Sequence, residues 1–83
     1  MTEMKIYDFD GKKNICGEKV RLARKAKRLS QADLAAKLQI AGVLIERDSI
    51  SRIEIGTRFV ADYELLALCQ ILGVSLDYLL NNK

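Results

Sequence analysis

Between Ser30 and Gly56 the chain reads SQADLAAKLQIAGVLIERDSISRIEIG, and the reading of this stretch decides the fold. Leu34, Ala35 and Leu38 fall on one face at helical spacing, and Ile50 and Ile53 form a second helical line after Gly42. Two amphipathic helices joined by a glycine-containing turn are therefore predicted. Ser30 suits the start of the first helix, since its hydroxyl can accept from a backbone N–H one turn in. Asp33, at the third helical position, can reach back to complete a capping box. Gly56 ends the second helix, because it takes a left-handed conformation without a Cβ penalty.

The order S-Q-x-x-L-A-x-x-L, then I-S-R-I-E-x-G, resembles the phage-repressor and Cro type of helix-turn-helix protein, the XRE family, from about Cys16 to Leu80. The resemblance implies an all-α fold: a five-helix, lambda-repressor-like DNA-binding domain in which helices 2 and 3 make the helix-turn-helix. Residues 15–83 are expected to form that domain and residues 1–14 an N-terminal arm. In the arm, Lys5, Tyr7 and Phe9 alternate with Met4 and Ile6 as a short strand would, until Asp8, Asp10 and Gly11 break the pattern. Lys12 and Lys13 are read as part of a tail, with a phosphate or minor-groove contact as the alternative.

Outward from the central stretch, helix 1 is predicted from an Asn14 cap to about Lys27, with Cys16, Val20 and Ala23 facing the core and Ile15 and Leu22 on a second apolar line. Helix 2 covers Gln31 to roughly Ile40, and helix 3 about Arg47 to Ile55. Helix 4 starts at an Ala61 or Asp62 cap and stops at Gly73, and Ser75 caps a short helix 5, Leu76 to Leu80. The chain departs from the family pattern in three places. Leu22 and Ala23 exchange the usual polar and larger residues. Arg28 stands where glycine commonly makes the turn into helix 2. The connection from Leu38 to Ile50 is about five residues longer than the usual three- or four-residue turn, and Val43, Leu44 and Ile45 are expected to tuck over the core.

Composition narrows the function classes. Eighty-three residues, half of them apolar and none of them proline, suit one small helical domain. Histidine is absent, Cys16 and Cys69 make no metal-ligand spacing, and there is no phosphate-binding glycine loop or triad. No enzymatic activity, metal, cofactor or small-molecule ligand is expected, and the two cysteines read as buried, reduced thiols. No run reaches transmembrane length and the first ten residues lack a signal peptide's apolar core, so a cytoplasmic location is expected and no membrane partner. From Lys12 to Arg28 eight cationic residues face Glu18 alone, a net +7, whereas from Val60 onward Asp62, Glu64 and Asp77 face only Lys83, a net −2. A chain so divided presents one side to a polyanion.

With Ile50 and Ile53 inward, the helical period leaves Arg47, Asp48, Ser51 and Arg52 on the outer side of helix 3, the candidate base contacts. Arginine's planar fork matches the O6 and N7 acceptors of guanine, and aspartate accepts from a cytosine amino group. The helix 2 N-terminus offers free N–H groups and a dipole to an anion, and Gln31 adds a side-chain donor. Ser49 reads either as a first-turn capping residue or as a phosphate donor. The resemblance implies further roles. Gln31 would clamp a phosphate of double-stranded DNA. Glu54 would pair with Arg24, which could also reach a phosphate. Thr57, through its backbone N–H, and Arg58, through its charge, would approach the DNA backbone, with Lys27 as another phosphate contact. Helix 4 is apolar almost all round, so it is expected to need a second partner surface. Leu66, Ile71 and Tyr78 are the candidate contacts of a homodimer on a palindromic operator. The function implied is a sequence-specific transcriptional regulator, of repressor type. The alternative is an antitoxin-like interaction module on the same fold, against which stands the end of the sequence directly after helix 5.

Overall fold

The structure is a computed structural model and describes residues 10–81. It consists of α1 (Gly17–Ala26), α2 (Gln31–Ile40), α3 (Arg47–Ile55), α4 (Asp62–Leu72) and α5 (Leu76–Leu80), an all-α five-helix fold. The strand pattern expected in residues 4–9 lies outside the described residues.

Local chemistry explains where the helices start and stop. The Ser30 hydroxyl accepts from the Asp33 N–H at 2.9 Å while the Asp33 carboxylate accepts from the Ser30 N–H at 3.0 Å, the reciprocal capping box expected for α2. This hydrogen bonding holds the Asp33 carboxyl below its usual range. Ser75 caps α5 by a single bond, accepting from the Tyr78 N–H at 2.9 Å, and Glu64 accepts from the Ala61 N–H at the start of α4. At the other ends, α1, α2 and α3 each close in a left-handed residue followed by a six-to-one bond: Leu29 N–H to Arg24 O, Val43 N–H to Leu38 O and Thr57 N–H to Arg52 O. The left-handed residues are Arg28 (φ 59°), Gly42 (φ 91°) and Gly56 (φ 87°). Arg28 thus takes the conformation glycine commonly supplies at this turn, at a cost on the order of 1 kcal/mol.

α1 begins two residues later than expected. Asn14 Oδ1 accepts from the Gly17 N–H at 2.9 Å, but the first helical bond runs from Val20 N–H to Cys16 O, so Ile15 and Cys16 form the turn that leads in. Cys16, Val20 and Ala23 are buried as predicted. Leu22 stays 48% exposed and is not taken into the core.

Every helix supplies the core: Val20 and Ala23 from α1, Leu34, Ala35 and Leu38 from α2, Ile50 and Ile53 from α3, Leu68, Cys69 and Leu72 from α4, and Leu79 from α5. At about 1.5–3 kcal/mol for each fully buried aliphatic side chain, this shared core is the main stabilising term. α3 packs against both α1 and α2, while α4 touches α1, α2 and α5. Burial raises both thiols, Cys16 to about 11, so both sit protonated in the core.

The long α2–α3 connection is ordered by three devices. Gly42 and Val43 close α2, Gln39 Nε2 donates to Ile45 O at 3.1 Å, and Ile45 is buried with Val43 packed partly against the core. Leu44 departs from the expectation that all three apolar residues tuck in, for it is 88% exposed. In an extended segment alternate residues face opposite sides, so anchoring Val43 and Ile45 turns Leu44 outward.

Candidate nucleic-acid interface

α3 is fixed by its inner face. Ile50 and Ile53 are fully buried, and Glu54 beside them meets Arg24 of α1 in a two-pronged ion pair, Nε to Oε2 at 2.6 Å and Nη2 to Oε1 at 3.0 Å. Arg24 Nη1 donates to Leu29 O at 2.8 Å, which also ties down the α1–α2 turn. The carboxylate raises the Arg24 guanidinium above its ordinary value. The pair read from the resemblance is therefore present, but the added phosphate role for Arg24 is not supported. Its side chain is buried, only 7% of the residue is exposed, and its fork is turned onto Glu54 and Leu29.

Gln31 sits at the start of α2 as expected, yet its Nε2 donates to Glu54 Oε1 at 3.1 Å. It joins the Arg24–Glu54 pair into a network spanning α1, α2 and α3, and one amide hydrogen remains for an outside acceptor. Arg58 is likewise committed. It clasps Glu64 through Nη1 to Oε1 at 2.9 Å and Nη2 to Oε2 at 3.1 Å, and Nη1 also donates to Phe59 O. The contact raises Arg58 and lowers Glu64, and the carboxylate offsets the charge expected to meet a phosphate. Thr57 differs from the expectation as well: its N–H donates to Arg52 O at 2.9 Å in the α3 closure, and its hydroxyl donates to the same oxygen at 3.4 Å.

Along α3, Arg47, Asp48 and Arg52 are exposed and Ser49 and Ser51 half-buried, and none of the five makes a side-chain hydrogen bond or ion pair among the described residues. Lys27 and Arg28 are exposed at the end of α1, just ahead of the α2 N-terminus, and are also uncommitted among the described residues. The helix thus has a clamped inner face and a free outer one carrying two guanidinium groups.

A family model described as a helix-turn-helix domain matches residues 17–83. A solved structure of the P22 c2 repressor protein in complex with synthetic operator 9T in the presence of Tl+ resembles this chain with a TM-score of 0.70. It is 33% identical, and the match covers 84% of this chain and 98% of that one. The chain belongs to the helix-turn-helix family, of phage-repressor type. No curated protein matches the sequence.

In this helix-turn-helix protein, α2 and α3 are the paired helices. The structure brings the four outer α3 residues Arg47, Asp48, Ser51 and Arg52 onto one side of the domain's second motif helix, while Arg24 and Arg58 are drawn inward by carboxylates. Sequence reading missed the Gln31–Glu54 bond, the Arg58–Glu64 clasp and the docking of residues 12–14. Lys13 N–H donates to Gly56 O at 2.8 Å, and Asn14 Nδ2 donates to Ile53 O at 3.1 Å and Arg58 O at 2.8 Å. Only Glu64, an acid at the third position of α4, carried a local signal. Of the expected dimer contacts, Leu66 is exposed, whereas Ile71 packs partly against the core and Tyr78 lies under Lys19, whose Nζ is 4.8 Å from the ring centroid. No helix among the described residues is long and apolar enough to cross a membrane.

Proposed function

We propose that this chain is a sequence-specific DNA-binding transcriptional regulator, a repressor that binds a palindromic operator as a homodimer with α3 in the major groove. The observation that carries the reading is the outer face of α3: among the described residues Arg47, Asp48, Ser51 and Arg52 stand uncommitted, on a helix whose inner face is locked by Ile50, Ile53 and Glu54. The resemblance to a repressor solved on operator DNA supports it. Arg47 and Arg52 read base edges, with Asp48 and Ser51 completing the surface. Phosphates are met by the free N–H groups of the α2 N-terminus with the remaining Gln31 hydrogen, by Lys27 and Arg28, and by the Ser49 hydroxyl. Arg58 contributes only the part of its charge that Glu64 leaves.

Selection from a random duplex pool tests the reading. The wild type should recover one preferred, two-fold symmetric sequence. Arg47→Ala and Arg52→Ala should each weaken binding to it by about 1–3 kcal/mol and relax preference at particular base pairs, while random DNA loses less. Recovery of no preferred sequence by the wild type would refute it.

A further inference from the structure

We propose that Asn14 is a positioning residue for the recognition helix: its side chain pins the C-terminal end of α3 to the first turn of α1 and thereby sets the tilt at which Arg47 and Arg52 meet DNA. This rests on the DNA-reading function proposed for α3. One carboxamide makes all the links, with the Cys16 thiol also donating to its Oδ1 at 3.9 Å. Oδ1 accepts from the Gly17 N–H at 2.9 Å, and Nδ2 donates both to Ile53 O in the last turn of α3, at 3.1 Å, and to Arg58 O in the loop beyond it, at 2.8 Å. The two amide hydrogens are thereby fully used, so the group is a bridge with no spare donor.

The surroundings fit a fixed joint. A Cβ on Gly17 would lie 2.1 Å from Ile53 O, so the α1 backbone rests directly on the end of α3 with no side chain between them. Lys13 N–H adds a bond to Gly56 O, and the aliphatic stem of Lys12 covers Gly56. α3 is about 13 Å long at 1.5 Å per residue. Its beginning is held by Ile45 and the Gln39 bond, its middle by Ile50, and its end by the Arg24–Glu54 pair and Asn14. Rotation about its own axis is fixed by the core residues. Its tilt depends on the anchors at the two ends, and among the described residues only the Asn14 side chain joins the α3 end, the following loop and α1 at once.

Two substitutions separate bridging from capping. Asn14→Ser and Asn14→Asp both keep an acceptor for the start of α1, but Asp has no donor and Ser only one, on a shorter side chain, so neither can bond Ile53 O and Arg58 O together. Hydrogen exchange on the whole chain should show the Gly56 and Thr57 amides of each variant opening at least tenfold faster than in the wild type, while α2 and α4 amides keep their protection. With the sequence selected by the wild type, measured well below each variant's melting temperature, the ratio of specific to random-DNA affinity should fall about tenfold with random-DNA affinity unchanged. Unchanged exchange in Asn14→Ser, or a folded Asn14→Ser with wild-type discrimination, would overturn the positioning role and leave Asn14 a helix cap. If the wild type selects no sequence, the DNA-reading function fails on its own account and the exchange result alone decides whether Asn14 holds α3.

Discussion

Glu54 is the residue on which most of the architecture converges, since one carboxylate accepts from Arg24 of α1 and Gln31 of α2 while riding on α3. Removing one partner of a buried pair leaves the other charge uncompensated, at a cost of about 3–5 kcal/mol. Glu54→Ala should therefore lower the melting temperature by well over ten degrees, since a domain of this size shifts by about 4–8 °C per kcal/mol. A melting temperature unchanged in that variant would remove the network from the account. The Arg58–Glu64 clasp makes a separate, pH-dependent contribution. Arg58 holds the Glu64 carboxyl below its ordinary 4.5, so the folded state prefers the charged form. The stability gained is present above pH 4.5 and is lost as pH falls through the lowered folded value. Urea unfolding as a function of pH should show a steeper acid limb in the wild type than in Glu64→Gln, and equal limbs would exclude Glu64 as a contributor.

Among elements, the closures of the helices carry a testable asymmetry. α2 and α3 end on Gly42 and Gly56, but α1 ends on Arg28 with φ 59°. Arg28→Gly should relieve the left-handed strain and raise stability by about 1 kcal/mol, read as a higher urea midpoint with an unchanged slope. A lower midpoint would mean that the arginine side chain contributes more than its backbone costs. These local features were legible in the sequence: Ser30 with Asp33, Ser75, Gly56 and Gly73 act within one turn of themselves, so spacing alone located four helix boundaries. What was not legible depends on partners far along the chain. Arg58 reads as a free cation until α4 folds Glu64 beneath it. Nothing near Gln31 shows that α3 brings Glu54 to take one of its amide hydrogens, and nothing near Asn14 announces bonds to Ile53 and Arg58. The outward turn of Leu44 follows from the anchoring of its two neighbours, a tertiary event that hydrophobicity does not encode.

For the whole molecule, the exposed apolar side chains of α4 and α5 remain to be covered. Tyr63 and Leu66 lie three residues apart on one face of α4, and Leu76 and Leu80 four apart on α5, all of them exposed. In a two-fold dimer these faces would bury one another and set two α3 helices about one DNA turn apart. Leu66→Glu should then give a folded chain that sediments as a monomer and binds the symmetric site more weakly, with its half-site preference unchanged. A wild type that sediments as a monomer at micromolar concentration, with and without DNA, would rule this interface out.

The outer face of α3 also has a consequence for descent. Since the exposed side chains of Arg47, Asp48 and Arg52 make no hydrogen bond or ion pair among the described residues, exchanging them should cost the domain little stability, whereas their inward neighbours Ile50, Ile53 and Glu54 have no such freedom. If α3 reads DNA as proposed, a lineage built on this scaffold can acquire a new target by changing a few outward letters, each intermediate remaining folded and therefore visible to selection.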